Sequence, residues 1–231
     1  MIGSVSRIRS SARRTTCSSN LRQIGMAFQL YAAENRSLYP APRQVDTADK
    51  VTDPSNPAGP KIVPSWGNPS ANNWPVEISR YIYRDQAQIW DVKDVYGQTN
   101  IAHCPSYDLL FNTNIKLSSQ STYSTAGYGM NYNLNVDGVS IGSGTLSRKT
   151  RFKSSAIVNP AKSVLVGDSS EFYLQGQPPS WAVSTGDTGK PDGYATSAPN
   201  RHEGSANYLF ADGHVVSLSS SAALDVVKFI P

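Results

Sequence analysis

Residues 12–35 constrain the fold more than any other stretch of the chain. Cys17, Leu21, Ile24, Phe28 and Tyr31 recur at spacings of four, three, four and three, the period of one helix face. Met26, Ala27 and Leu30 widen this stripe, while Arg14, Arg22, Gln29 and Glu34 fall largely on other faces. A helix of this kind lays one side on something else, and Pro40 and Pro42 stop it. The charge is arranged around the same helix. Arg7, Arg9, Arg13, Arg14 and Arg22 all precede the first acid, Glu34, so the net charge of +4 splits into +5 before that residue and -1 from it onward. The chain as a whole, 231 residues with 16% charged, is long enough for a sizeable core and too poor in charge for a long coiled coil.

Beyond the helix the pattern changes. Eight of the fifteen prolines fall between Pro40 and Pro75 among Asn, Ser, Asp and Gly, which predicts a long surface loop. A short helix follows to about Tyr83, with Asn73 as cap, Pro75 in its first turn, and Val76, Ile78, Tyr81 and Ile82 as apolar contacts. Residues 121–133 are rich in Tyr and Thr, and residues 133–144 form a Gly- and Asn-bearing turn region. Ser163–Val166 reads as a buried strand introduced by Asn159-Pro160 and closed by Gly167-Asp168. Residues 175–200 are again loop-like, and residues 222–229 fit either a strand or a helical turn. In Ala206–Leu218 two apolar runs flank Asp212-Gly213, a signal for a two-residue type I′ hairpin with Gly213 at positive φ. The fold class is α+β, a long N-terminal helix on a C-terminal antiparallel sheet with long loop insertions. No run of about 18 apolar residues is present, and the first 30 residues lack the apolar centre of a signal peptide.

Asp168, Glu171, His202, Glu203, Asp212 and His214 are the residues with chemistry to offer. An extended chain rises about 3.3 Å per residue, so His202 and the hairpin tip at Asp212 do not share a site. If the 163–166 strand runs antiparallel beside 206–210, however, its end at Asp168 meets the start at His202. That pair is either a carboxylate orienting a histidine, for acid–base chemistry or metal ligation, or a polar tie between strand ends. The second reading is preferred, because neither a nucleophile elbow nor a pair of histidines at i, i+4 accompanies it. Asp168 with Glu171 offers oxygens to calcium, although the spacing of an EF-hand loop is absent; no other cofactor is expected. Trp66, Trp74, Trp90 and Trp181 are read as core or loop anchors before sugar-stacking platforms. Nucleic acid is not an expected partner, because the arginines of the arm are not interleaved with aromatics.

Together these motifs resemble the type II secretion G-like pseudopilins, in the subgroup marked by a C-terminal His-x9-Asp-Gly signature. Here the signature runs from His202 to Asp212-Gly213. CSSNLRQIGMAFQLYAAEN followed by Tyr39-Pro40, the helix around Trp74 and Tyr81, Cys104-Pro105-Ser106, Tyr128-Gly129-Met130-Asn131 and NPAKSVLVGDSS (159–170) resemble the other landmarks in the same order. The family normally opens with a basic leader, a Gly-Phe-Thr-Leu-Ile-Glu-like processing site and ~20 apolar residues, the length of a membrane span. None of these is in the sequence, and Met1 falls about where the span ends, so the expectation is a head from which the anchor has been cut, with residues 1–12 prone to fray.

The resemblance implies a non-enzymatic structural subunit. Residues 1–36 form the membrane-proximal helix, and residues 37–231 a head with a Pro-rich loop at 40–75 and a hairpin at 206–218. The full-length protein is then held in the inner membrane with its head outside the cytoplasm. It assembles with other pseudopilins or secretion-apparatus proteins through the helix that carries Leu21, Ile24, Phe28 and Tyr31. Arginines beyond the span meet headgroup phosphates or acidic groups on a neighbour. An extracytoplasmic location permits a Cys17–Cys104 disulfide tying helix to sheet, the alternative being two buried thiols. The competing functions are an extracytoplasmic binding module, with polysaccharide as a candidate ligand, using loops 40–75 and 175–200 with Trp66 or Trp181, and, last, a hydrolase centred on Asp168 and His202.

Overall fold

Helix α1 (Ile2–Glu34) organises the molecule. The computed structural model describes residues 2–42, 74–82, 101, 104–106, 127–131, 134–136, 139–140, 151–169, 173–174, 201–219 and 222. Strand β1 (Leu38–Tyr39) and helix α2 (Trp74–Ile82) follow α1. Then come strands β2 (Tyr128–Asn131), β3 (Asn135–Val136), β4 (Val139–Ser140), β5 (Phe152–Lys153), β6 (Val164–Asp168), β7 (Tyr173–Leu174), β8 (Ser205–Phe210) and β9 (Val215–Ser219). The architecture is α+β. The main sheet has the order β7-β2-β6-β8-β9, with small pairs β1-β5 and β3-β4 beside it. Among the described residues every pairing is antiparallel except that of β2 with β7, which is parallel, so the sheet is mixed at that edge.

The stripe of α1 is its buried face: Cys17, Leu21, Ile24 and Phe28 are fully buried and Tyr31 nearly so. Met26 and Leu30 do not widen it and are 60% and 52% exposed. At 3.6 residues per turn they point about half a turn away from Cys17 and Phe28. Residues 2–12 belong to the helix. The helix also ends before the prolines. Arg36 and Ser37 have positive φ, and the Ser37 N–H donates to Ala32 O at 2.8 Å, a left-handed cap that closes α1 at Glu34.

Helix α2 is clamped to α1 by packing and polar contacts together. Trp74 lies 5.6 Å from Phe28 by ring centroids. The Tyr31 hydroxyl donates to Glu77 Oε2 at 2.5 Å, and the same oxygen accepts from Arg151, just before β5, with Nη2 at 3.0 Å. Burial, and then the charge and hydrogen bond of Glu77, push the Tyr31 hydroxyl well above its ordinary range; burial raises that of Tyr39, against the hydrogen bond from Gln29.

Strand β8 faces two ways, as a strand must. Leu209 joins the cluster against α1, while Ala206, Tyr208 and Phe210 pack with Val164 and Leu174 on the other face. β6 runs through Gly167-Asp168 and is not closed there. Gly167 pairs with Tyr208 of β8, and a Cβ on it would sit 2.5 Å from Tyr208 Cδ1. The ring therefore lies directly over the glycine and fills the space of its absent side chain.

The β8–β9 connection differs from the two-residue expectation. The Phe210 N–H donates to His214 O and the Gly213 N–H to Phe210 O, each at 2.9 Å, so Ala211, Asp212 and Gly213 form a three-residue loop. Gly213 has φ of 97° and Asp212 has no positive φ, as in a type I turn followed by a left-handed glycine. The paired positive φ values that a type I′ turn needs occur at the other end of β8, at Glu203 (56°) and Gly204 (85°). Asp212 also accepts from His214 N at 3.1 Å and lies 2.5 Å from His214 Nδ1. Desolvation at the turn raises its carboxyl, but the His214 N–H, ring and charge outweigh this and hold it below the usual range. Gly213→Val is expected to cost about 1–2 kcal/mol, since a β-branched residue resists the left-handed region. A melting temperature equal to the parent's would argue against this turn.

Candidate functional site

The structure brings the two ends of distant segments together at one buried point. β6 and β8 pair antiparallel, so Asp168 at the end of β6 lies beside the turn before β8, which carries Arg201 and His202. His202 Nε2 is 3.1 Å from Asp168 Oδ2, and their side chains are 1% and 0% exposed. The same carboxylate oxygen accepts the backbone N–H of Asn207 at 2.7 Å. On the other side of the imidazole, Nδ1 is 3.1 Å from Ser106 Oγ.

Two further elements close over this pair. Cys17, the first buried residue of α1 from Arg7 onward, is joined by a disulfide to Cys104, with Cα atoms 5.2 Å apart. Cys104 Sγ lies 3.9 Å from His202 Nε2. One ligand atom from each of Cys17, Cys104, Asp168 and His202 falls within 4.8 Å of every other. Arg201, buried to 5% exposure, donates through Nη1 to Gly127 O and through Nη2 to Ser169 O, each at 2.8 Å. Tyr128 donates to Cys17 O at 3.3 Å. Burial, and next the charge of Asp168, push its hydroxyl well above the ordinary tyrosine value, against opposing effects of an Asn20 hydrogen bond and the Arg201 cation.

The arrangement ties α1, the Cys104–Ser106 turn, β2, β6 and β8 into one buried polar knot. It places no side chain of the Asp168–His202 pair at the surface. Asp212, Gly213 and His214 lie at the far end of β8, so the two halves of the His202-to-Gly213 signature are separate places, and their spacing is the length of one strand with its turns. Among the described residues Asp168 is surrounded by the His202 imidazole, the sulfurs of Cys17 and Cys104 and the backbone N–H of Asn207. Glu171, Trp66, Trp90, Trp181, nearly all of loop 40–75 and all of loop 175–200 lie outside the described residues. Ser106, Arg201 and Asn207 belong to the knot without having any chemical signature in the sequence; adjacency to His202 is the one signal that points to Arg201.

Tyr31, Tyr39 and Tyr128 together give a pH dependence. Each holds its proton in the fold at a pH where the unfolded chain, with tyrosines near 10, has released it. Their contribution is complete below pH 10 and is lost as pH rises above it. Chemical melts between pH 8 and 11, followed with tyrosinate absorbance, are expected to show the last of the twelve tyrosines ionising together with unfolding. Ionisation of all twelve near pH 10 within a still-folded chain would contradict this.

Residues 6–161 match the family SBP_bac_10, described as a protein of unknown function (DUF1559). No curated protein and no solved structure matches the chain.

Proposed function

The chain belongs to the SBP_bac_10 (DUF1559) family, a family of secreted, pilin-like type, and on that premise we propose that it is a structural, non-enzymatic pseudopilin-like subunit of an envelope apparatus. The observation that carries this reading is the divided character of α1. From Cys17 onward one face is buried in the head, whereas from Arg7 to Thr16, roughly 15 Å of helix, no side chain is buried. On the face turned away from the sheet stand Ile8, Met26 and Leu30, at 68%, 60% and 52% exposed. Large apolar side chains repeated along one exposed helix face are suited to packing against further helices. The arginines between them suit acidic groups on a neighbour or lipid phosphates.

The non-enzymatic reading is supported by the depth of Asp168 and His202, whose side chains are 0% and 1% exposed. An extracytoplasmic head is supported by the disulfide, which persists in oxidising compartments. Among the described residues no helix is long and apolar enough to cross a membrane, so the membrane enters this proposal through a segment joined ahead of α1.

The test joins an apolar span of about 20 residues to Ile2 and places a photo-crosslinker at Gln29, beside the apolar face, in a bacterial envelope. The expected result is a ladder of self-crosslinked oligomers that is lost in the Ile8→Asp, Met26→Asp double variant while the head still melts as the parent does. Monomers alone, or a ladder indifferent to both substitutions, would overturn the assembly role.

A further inference from the structure

We propose that the buried knot is also a metal site: in the dithiol form, Cys17, Cys104, Asp168 and His202 bind one divalent zinc ion, so the same four residues alternate between a disulfide and a closed metal centre. The first argument is the ligand set. Two sulfurs, one imidazole nitrogen and one carboxylate oxygen are the donors that zinc takes in four-coordinate structural sites, and they are poor ligands for calcium or magnesium.

The second argument is size. With zinc bonds of about 2.0–2.3 Å, ligand atoms on a tetrahedron stand roughly 3.3–3.8 Å apart. The four donors already lie within 4.8 Å of one another, His202 Nε2 being 3.1 Å from Asp168 Oδ2 and 3.9 Å from Cys104 Sγ. The two sulfurs must separate, and the widest donor pair, at up to 4.8 Å, must close by about 1 Å. The two cysteines sit on different elements with Cα atoms 5.2 Å apart, so side-chain rotation can part the sulfurs.

The third argument is the support around the donors. Metal-bound histidines hold their second nitrogen to a hydrogen-bonding partner, which fixes the ring and the tautomer. His202 Nδ1 has that partner in Ser106 Oγ at 3.1 Å, leaving Nε2 directed at the sulfur and the carboxylate. Asp168 Oδ1 is buried without a hydrogen-bond partner among the described residues, while Oδ2 is used by Asn207 and His202. A buried carboxylate oxygen left over in this way is costly unless something binds it. Two thiolates and one carboxylate around a dication leave one negative charge. The Arg201 guanidinium, held on Ser169 O next to Asp168, is placed to offset it.

The chemistry balances with a dithiol as reductant. Its two thiols give two electrons and two protons to the Cys17–Cys104 bond and leave as a cyclic disulfide, and the protein gains two S–H groups. Zinc then replaces those two protons, which pass to water, as two zinc–sulfur bonds form. Reoxidation by a disulfide of the same class reverses both steps and releases the metal. His202 changes tautomer in the process. In the disulfide form Nε2 faces Asp168 as a donor, and in the metal form Nδ1 donates to Ser106.

The test uses the whole chain under anaerobic conditions with a phosphine reductant, which does not compete for metal as a thiol does. Cobalt(II) is added first and zinc second. The expected result is one cobalt per reduced chain with the intense visible bands of a tetrahedral site and thiolate charge-transfer absorption, displaced by one zinc. The oxidised chain and the Cys17→Ser, Cys104→Ser double variant show no such bands. Ser106→Ala, which removes no ligand, weakens the affinity about 10–100-fold, and Asp168→Asn weakens it at least as much. A reduced chain with native circular dichroism that takes up no metal would overturn the proposal, as would equal uptake by the oxidised chain or the double variant. If reduction alone unfolds the chain, recovery of the native spectrum on adding zinc supports the site, and failure to recover overturns it.

Discussion

Loss of the Cys17–Cys104 bridge is expected to lower the stability of the head by about 2–5 kcal/mol, the larger of the two effects considered. The two cysteines are 87 residues apart in sequence, and closing a loop of that length in the unfolded chain removes entropy equivalent to about 4–5 kcal/mol in the chain-entropy account. Against a total stability of about 5–15 kcal/mol for a domain, this separates a folded head from a marginal one. The measurement is urea unfolding of the oxidised chain and of the Cys17→Ala, Cys104→Ala variant, without metal. A difference below about 1 kcal/mol would show that the bridge joins α1 to the head without holding it there.

Gly167→Ala is the second large effect, and its sign is informative. In a strand interior, replacing glycine by alanine ordinarily helps, because glycine loses more freedom on folding and packs nothing. Here the new Cβ would stand 2.5 Å from Tyr208 Cδ1, 2.9 Å from Cε1 and 3.2 Å from Leu174 Cδ1. Tyr208 is 1% exposed, in the middle of the sheet, so its rigid ring has little room to retreat. Overpacking of this kind costs about 1–3 kcal/mol. Tyr208→Leu in the same chain is expected to return some of the loss, giving a coupling energy that a double-mutant cycle reads directly. Stabilisation by Gly167→Ala alone would refute the ring-over-glycine packing.

How far the fold is legible in the sequence depends on the range over which its causes act. The α1 stripe is legible because Cys17 to Tyr31 share one angle of a 3.6-residue period. Met26 and Leu30 mislead because their apolar character says nothing of that angle. The proximity of Asp168 and His202 follows from the antiparallel arrangement of two short apolar runs. The turn at Asp212-Gly213 is legible, but its type is not, since an Asp-Gly pair serves equally in a two-residue primed turn and in a type I turn ending on a left-handed glycine. Arg201 is invisible as a member of the knot because its partners are the carbonyls of Gly127 and Ser169, and backbone oxygens leave no trace in a sequence. The cover of Tyr208 over Gly167 requires the register, which shifts between Val164 and Val166.

The position of Cys17 on α1 has a mechanical consequence. Ahead of it, from Arg7 on, no side chain is buried, and behind it the buried stripe begins. Tension applied along the exposed length of α1 would therefore enter the head at Cys17. There a covalent bond to Cys104 carries the load past the first turns of the stripe, and unzipping of the helix from the sheet cannot begin at its most exposed end. In the reduced, metal-free chain the same pull would meet only dispersion contacts and hydrogen bonds, which give way in succession. The bridge thus makes the junction between rod and head a shear joint, where the reduced protein without metal would have a peeling one.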